Sequence, residues 1–147
     1  MNKPARDLYQ ELLVEHGKRP RNFGPLPDAD RAAQGSNPLC GDELSVRLRM
    51  AKGRIDTIAF QGAGCAVCIA SASMMTVAVK GLAAGEIEAL MRRVRALVEG
   101  GEVSNPGDFA ALSGVSRFPA RVKCALLAWR ALEAALAGAL SPVSTEL

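Results

Sequence analysis

Leu44-Ser45-Val46-Arg47-Leu48-Arg49-Met50 alternates apolar and polar side chains at every position. Successive side chains of a strand point to opposite faces, so this segment predicts a strand with one buried and one wetted face. Ala51-Lys52-Gly53 reads as a tight hairpin turn, with Gly for the unusual backbone angle. Arg54 to Gln61 is then the partner strand. Its looser alternation predicts a bulge or burial on both faces. Two strands are marginal alone and need a third strand or a helical cover.

The rest of the chain supplies helices. Leu8, Tyr9, Leu12, Leu13 and His16 recur at helical spacing, which predicts a helix over Ala5 to His16 with Asp7 in its first turn and Gly17 as its stop. Lys18 to Pro27 carries three prolines and reads as an extended connector, followed by a polar loop from Asp28 to Ser36. Gln61-Gly62-Ala63-Gly64-Cys65 turns the chain into a helix that runs from Cys65 or Ala66 to about Lys80. Small residues in its first half (Ala70-Ser71-Ala72-Ser73) predict close packing against the sheet or another helix. Glu86 to Val98 is amphipathic, with Ile87, Leu90, Met91, Val94, Leu97 and Val98 on one stripe, and Gly100-Gly101 stops it. A short helix around Phe109 to Leu112 precedes a long one from Pro119 to about Gly138. Residues 141–147 read as a flexible tail.

At 147 residues the chain predicts one domain, spanning 1–147. Net charge is only +3 with dispersed Lys and Arg, and aromatic residues are 4%, which argues against nucleic acid as a partner. The polar N-terminus lacks the apolar core of a signal peptide, and no apolar run approaches the ~20 residues of a membrane span. A cytoplasmic location is therefore expected. There, four cysteines point to metal binding or thiol chemistry rather than disulfides.

The cysteines occupy different settings. Asn37-Pro38-Leu39-Cys40-Gly41-Asp42 sets a thiol and a carboxylate two residues apart in a flexible turn, where both can face one metal ion. Cys65 lies at a strand-to-helix turn and Cys124 in the first turns of a helix, positions that favour thiolates. An isolated Cys is most often a small buried hydrophobe, but the loop position beside Asp42 argues otherwise for Cys40. Cys65-Ala66-Val67-Cys68 is a C-x-x-C, yet no thioredoxin-like βαβ unit surrounds it, and Cys68 falls within a buried helix. Core packing is the preferred reading of Cys68, with a structural zinc site of all four cysteines as the competitor. His16, the single His, reads as a packing or capping residue. Arg121, one turn before Cys124, is either a surface residue or a cation balancing the charge of thiolates and carboxylate.

Together these residues resemble the U-type iron–sulfur assembly proteins (SufU, IscU and the N-terminal domain of NifU). Leu8-Tyr9 through Phe23-Gly24, then Asn37 to Asp42, Gly62-Ala63-Gly64-Cys65 and Arg121-Val122-Lys123-Cys124, resemble that family's signature and its three ligand segments. Lys123 in place of a His before the last Cys, and the long segment between Cys65 and Cys124, resemble the SufU branch. The resemblance implies an α+β fold: a small antiparallel sheet of about three strands packed by four to six helices, of the SufE/NifU-like kind. It implies Zn²⁺ on Cys40, Asp42, Cys65 and Cys124, with iron or a transient [2Fe–2S] cluster as the alternative cargo. It also implies that Cys40 accepts persulfide sulfur from a SufS-type cysteine desulfurase, with Arg121 beside the reacting thiol and further iron–sulfur assembly proteins downstream. Transfer then requires Cys40 to leave the metal. A scaffold that assembles and passes on a cluster, and a non-catalytic zinc-stapled interaction module, are the competing readings.

Overall fold

Lys52 and Gly53 both take positive φ (54° and 76°), the backbone of a two-residue turn whose twist matches that of the strands it joins. It links β2 (Asp42–Ala51) to β3 (Arg54–Ala63) as an antiparallel hairpin with Val46 opposite Phe60 and Leu48 opposite Ile58. Leu44, Val46 and Leu48 are buried, as the alternation requires. Both expectations for the partner strand hold: the register shifts at Arg49/Met50, and Ile58, Ala59 and Phe60 are buried in succession. The outer edge of β3 is closed by the connector. The Phe60 N–H donates to the Asn22 carbonyl (3.0 Å) and the Gly24 N–H donates to that of Phe60 (3.0 Å). Pairing an edge in this way removes a template for aggregation.

The structure, a computed structural model, describes residues 3–138 and 143–144, with side chains from Gln10 to Gly138. It is an α+β fold. Helix α1 (Lys3–Lys18) precedes β1 (Arg31–Asn37), β2 and β3. Then come α2 (Ala66–Val79), α3 (Ala84–Val98), a 3-10 helix (Gly107–Arg117) and α4 (Pro119–Ala137). β1, β2 and β3 form the three antiparallel strands, and a two-residue strand β4 (Val143–Ser144) adds in parallel to β1, giving the order β3-β2-β1-β4. The tail expected over 141–147 otherwise lies outside the described residues.

Two local readings are corrected. The segment expected as a polar loop from Asp28 to Ser36 contains β1, paired along its length with β2 from Arg31 opposite Leu48 to Asn37 opposite Asp42. Its residues, Arg-Ala-Ala-Gln-Gly-Ser-Asn, carry no apolar alternation because the face that meets α4 needs small side chains rather than oily ones. Helix α1 begins earlier, so Asp7 falls in its second turn, and it runs through Gly17 to Lys18. Gly17 lies against Ala66 at the start of α2, where a Cβ would sit 3.5 Å from the Ala66 carbonyl oxygen. Gly there serves packing, not termination.

α2 is buried on nearly all sides, from Cys68 to Val79, between α1, α4 and β3. A helix so enclosed must satisfy its polar side chains internally. Ser71 Oγ donates to the Ala125 carbonyl (2.6 Å) and accepts from Trp129 Nε1 (3.2 Å), which binds α2 to α4. Ser73 Oγ accepts the Arg21 N–H (2.8 Å) and meets His16 Nδ1 (2.7 Å), which binds α1 and the connector. The expected small-residue packing is thus a set of hydrogen-bonded close approaches. His16 is a buried packing residue, as expected, and its pKa is lowered by burial first and then by the Arg21 charge. α3 and α4 follow their expected bounds closely, and the short helix near Phe109 is the longer 3-10 segment.

Candidate metal centre

Because Asn37 faces Asp42 across the β1–β2 ladder, Pro38-Leu39-Cys40-Gly41 forms the hairpin's tip, with the Cys40 N–H on the Asn37 carbonyl (3.2 Å). Gly41 takes φ +71°, a left-handed angle that suits Gly and swings the chain from Cys40 into β2. Cys40 is partly exposed, and Leu39 beside it is an exposed apolar side chain. Asp42, the first residue of β2, is fully buried.

A buried carboxylate requires donors. Asp42 Oδ1 accepts the backbone N–H of Cys65 (2.9 Å), and Oδ2 accepts Asn37 Nδ2 (3.1 Å). Cys65 is the N-cap of α2, so the carboxylate also lies at the positive end of that helix. The geometry depends on Gly64: a Cβ there would lie 2.8 Å from Asp42 Oδ1 and 3.1 Å from Cys68 Sγ.

Cys124 projects from the second turn of α4 and is fully buried. Its sulfur lies 3.4 Å from Asn37 Nδ2 and 3.4 Å from the Ala120 carbonyl oxygen. The sulfurs of Cys40 and Cys124 and a carboxylate oxygen of Asp42 all lie within 4.8 Å of one another. These donors come from three places in the fold: the hairpin tip, the start of β2 and α4. The group does not extend to the Cys65 thiol, which lies beside it, close enough to Cys124 and Arg121 to affect both.

The electrostatics correct one expectation. Position near a helix start was expected to favour a Cys124 thiolate. Instead burial, and then hydrogen bonding with Asp42, push its thiol well above the ordinary range. Cys68 is likewise pushed up, by burial first and by the Asp42 charge second. Cys68 packs in the hydrophobic core behind the site and lies outside the metal-competent group among the described residues, in keeping with the packing reading. Arg121 is exposed, and its guanidinium lies against the Cys65 and Cys124 thiols. The Cys65 charge contributes most to holding it protonated. Asn37 is the contact that sequence reasoning assigned no role. Its signal was its place opposite Asp42, which appears only once residues 31–37 are known to be a strand.

The chain and its fold are similar to known proteins. Residues 8–140 match the family described as the NifU-like N terminal domain. The chain is 38% identical over 133 residues to the zinc-dependent sulfurtransferase SufU of Bacillus subtilis (strain 168), covering 88% of this chain and 90% of that one. It is 42% identical over 134 residues to the iron–sulfur cluster assembly scaffold protein IscU of Streptococcus pyogenes serotype M1, covering 88% and 82%. The fold is similar to a crystal structure from Fervidobacterium islandicum AW-1, provisionally described as a scaffold protein for the SUF system. The TM-score is 0.81 at 29% identity, over 90% of this chain and 98% of that one.

Proposed function

The chain belongs to the family of NifU-like N-terminal domains, and from that premise we propose that it serves iron–sulfur cluster assembly as a zinc-dependent sulfur acceptor. In this reading residues 1–147 act as one domain in the cytoplasm, and the sulfur donor is a SufS-type cysteine desulfurase. Among the described residues no helix is long and apolar enough to cross a membrane. The observation that carries the reading is the unequal mounting of the donors. Asp42 and Cys124 are buried on a strand and a helix, whereas Cys40 stands on an exposed turn.

The donor set fits zinc. Tetrahedral zinc with Zn–S bonds of about 2.3 Å spaces its sulfur ligands about 3.8 Å apart. Cys40, Asp42 and Cys124 already offer three donors within 4.8 Å. Cys65 would complete the four by side-chain rotation that gives up its contact with the Arg121 guanidinium, since it makes no cap hydrogen bond to the helix. Bound zinc would supply the positive charge that keeps its thiol ligands as thiolates. Arg121 would offset part of the charge left by three thiolates and a carboxylate.

Cys40 is the thiol suited to react. Its thiolate attacks the outer sulfur of the donor's cysteine persulfide. A new S–S bond forms at Cys40, the donor's S–S bond breaks, and the donor cysteine leaves as thiolate. Asp42 and Cys124 remain anchored through Asn37 while the turn moves. Adding the protein to a cysteine desulfurase should raise conversion of cysteine to alanine, and Cys40→Ala should abolish the increase. Undiminished stimulation by Cys40→Ala would overturn the reading.

A scaffold role on the same residues is the second reading, favoured by Asp42 as an oxygen donor among thiols, a weaker iron ligand suited to cluster release. Anaerobic reconstitution followed by cluster transfer to an apo-acceptor separates the two. Rapid transfer supports the scaffold, and a cluster that stays bound with zinc strongly preferred supports the sulfur acceptor.

A further inference from the structure

Cys68 is the thiol that the proposed transfer does not use. It is fully buried, three residues after Cys65, in the first turn of α2. Cys65 is that helix's N-cap, with extended backbone angles (φ −69°, ψ 167°) and a partly exposed thiol. The N-cap and third helical side chains face each other, the relation that lets a capping box close. The Cys65 thiol makes no cap hydrogen bond, so rotation toward Cys68 gives up its contacts with Arg121 and Cys124 but no bond to the helix end. The Cys68 sulfur is turned toward the same end, 3.1 Å from where a Gly64 Cβ would stand. Two cysteines in C-x-x-C spacing at a helix start have the separation at which dithiols open and close.

We propose that Cys65 and Cys68 form a reversible disulfide when a peroxide reaches the site, so that Cys68 protects Cys65 from irreversible oxidation. In the first step hydrogen peroxide oxidises the Cys65 thiol to a sulfenic acid and is reduced to water. In the second, Cys68 sulfur attacks the sulfenic sulfur. The S–O bond breaks, the S–S bond forms, and the Cys68 proton leaves with the hydroxyl as a second water. A dithiol reductant reverses the bond by exchange. The consequence for zinc rests on the proposed function, because a disulfide at Cys65 removes one of its ligands, whereas bond formation itself does not.

The test uses the full chain purified anaerobically, with its zinc content measured first. It is then treated with hydrogen peroxide and analysed by alkylation and peptide mass mapping. Wild type should lose two hydrogens through a Cys65–Cys68 link, release its zinc, and regain full zinc capacity after dithiothreitol. Cys68→Ala and the more nearly isosteric Cys68→Ser should instead accumulate sulfinic and sulfonic acid at Cys65 and fail to recover. A link from Cys65 to Cys40 or Cys124, or recovery of both variants equal to wild type, would overturn the proposal. Zinc missing before oxidation would count against the zinc reading alone, since the mapped link still decides the disulfide.

Discussion

Asn37 ties the ends of the site together with one amide group. Its Nδ2 donates to Asp42 Oδ2 at 3.1 Å and lies 3.4 Å from Cys124 Sγ, so a single side chain orients donors from β2 and α4. Groups that orient metal ligands typically affect metal affinity by about 10–100-fold. Asn37→Ala should therefore lower zinc affinity by about that factor, as read by competition with a chromogenic chelator, while Cys40 remains available for alkylation. An unchanged affinity would show that Asp42 and Cys124 are held by their own elements. Cys40, Asp42, Cys65 and Cys124 were each legible as candidates because their local settings are unusual for the residue type. Asn37 was not, because nothing in a turn-forming Asn-Pro pair announces a carboxylate across a strand ladder.

At the scale of elements, the last residues of β3 set where α2 begins, and hence where Cys65 lies. Gly62 has φ +141°, and a Cβ there would stand 2.0 Å from the Glu43 carbonyl oxygen, against backbone that cannot yield. Gly62→Ala should thus combine backbone strain with overpacking and destabilise the protein by roughly 3 kcal/mol. Urea unfolding would read this as a lower midpoint. An unshifted midpoint would mean that β2 and β3 can separate there without loss. The hairpin itself was readable because strict alternation has one structural meaning. β1 was hidden for the opposite reason: alternation of size, with Ala33 and Gly35 toward α4, leaves no trace in a pattern of oily and polar residues.

For the whole molecule, the core reaches well beyond the site. Leu44, Val46, Leu48, Phe60, Met75, Val79, Leu127 and Leu132 belong to one buried cluster reaching across sheet and helices. A chain of this length does not need a metal to fold. Removing zinc with a chelator should accordingly leave the far-ultraviolet circular dichroism unchanged and lower the Tm, since a ligand bound only by the native state stabilises it by mass action. Loss of helical signal on chelation would instead favour the zinc-stapled module. The β2–β3 hairpin, the amphipathic stripe of α3, the bounds of α4 and the candidate thiols and carboxylate of the site were legible in the residues alone, because each is a matter of local period or of unusual residues in turns. Long-range packing was needed to show that 31–37 is a strand, that Asn37 reaches both Asp42 and Cys124, and that burial outweighs the helix start at Cys124. These depend on segments up to 87 positions apart in sequence meeting in space, as Asn37 and Cys124 do. Local periodicity tells which face of an element is buried; packing alone tells which residue it meets there.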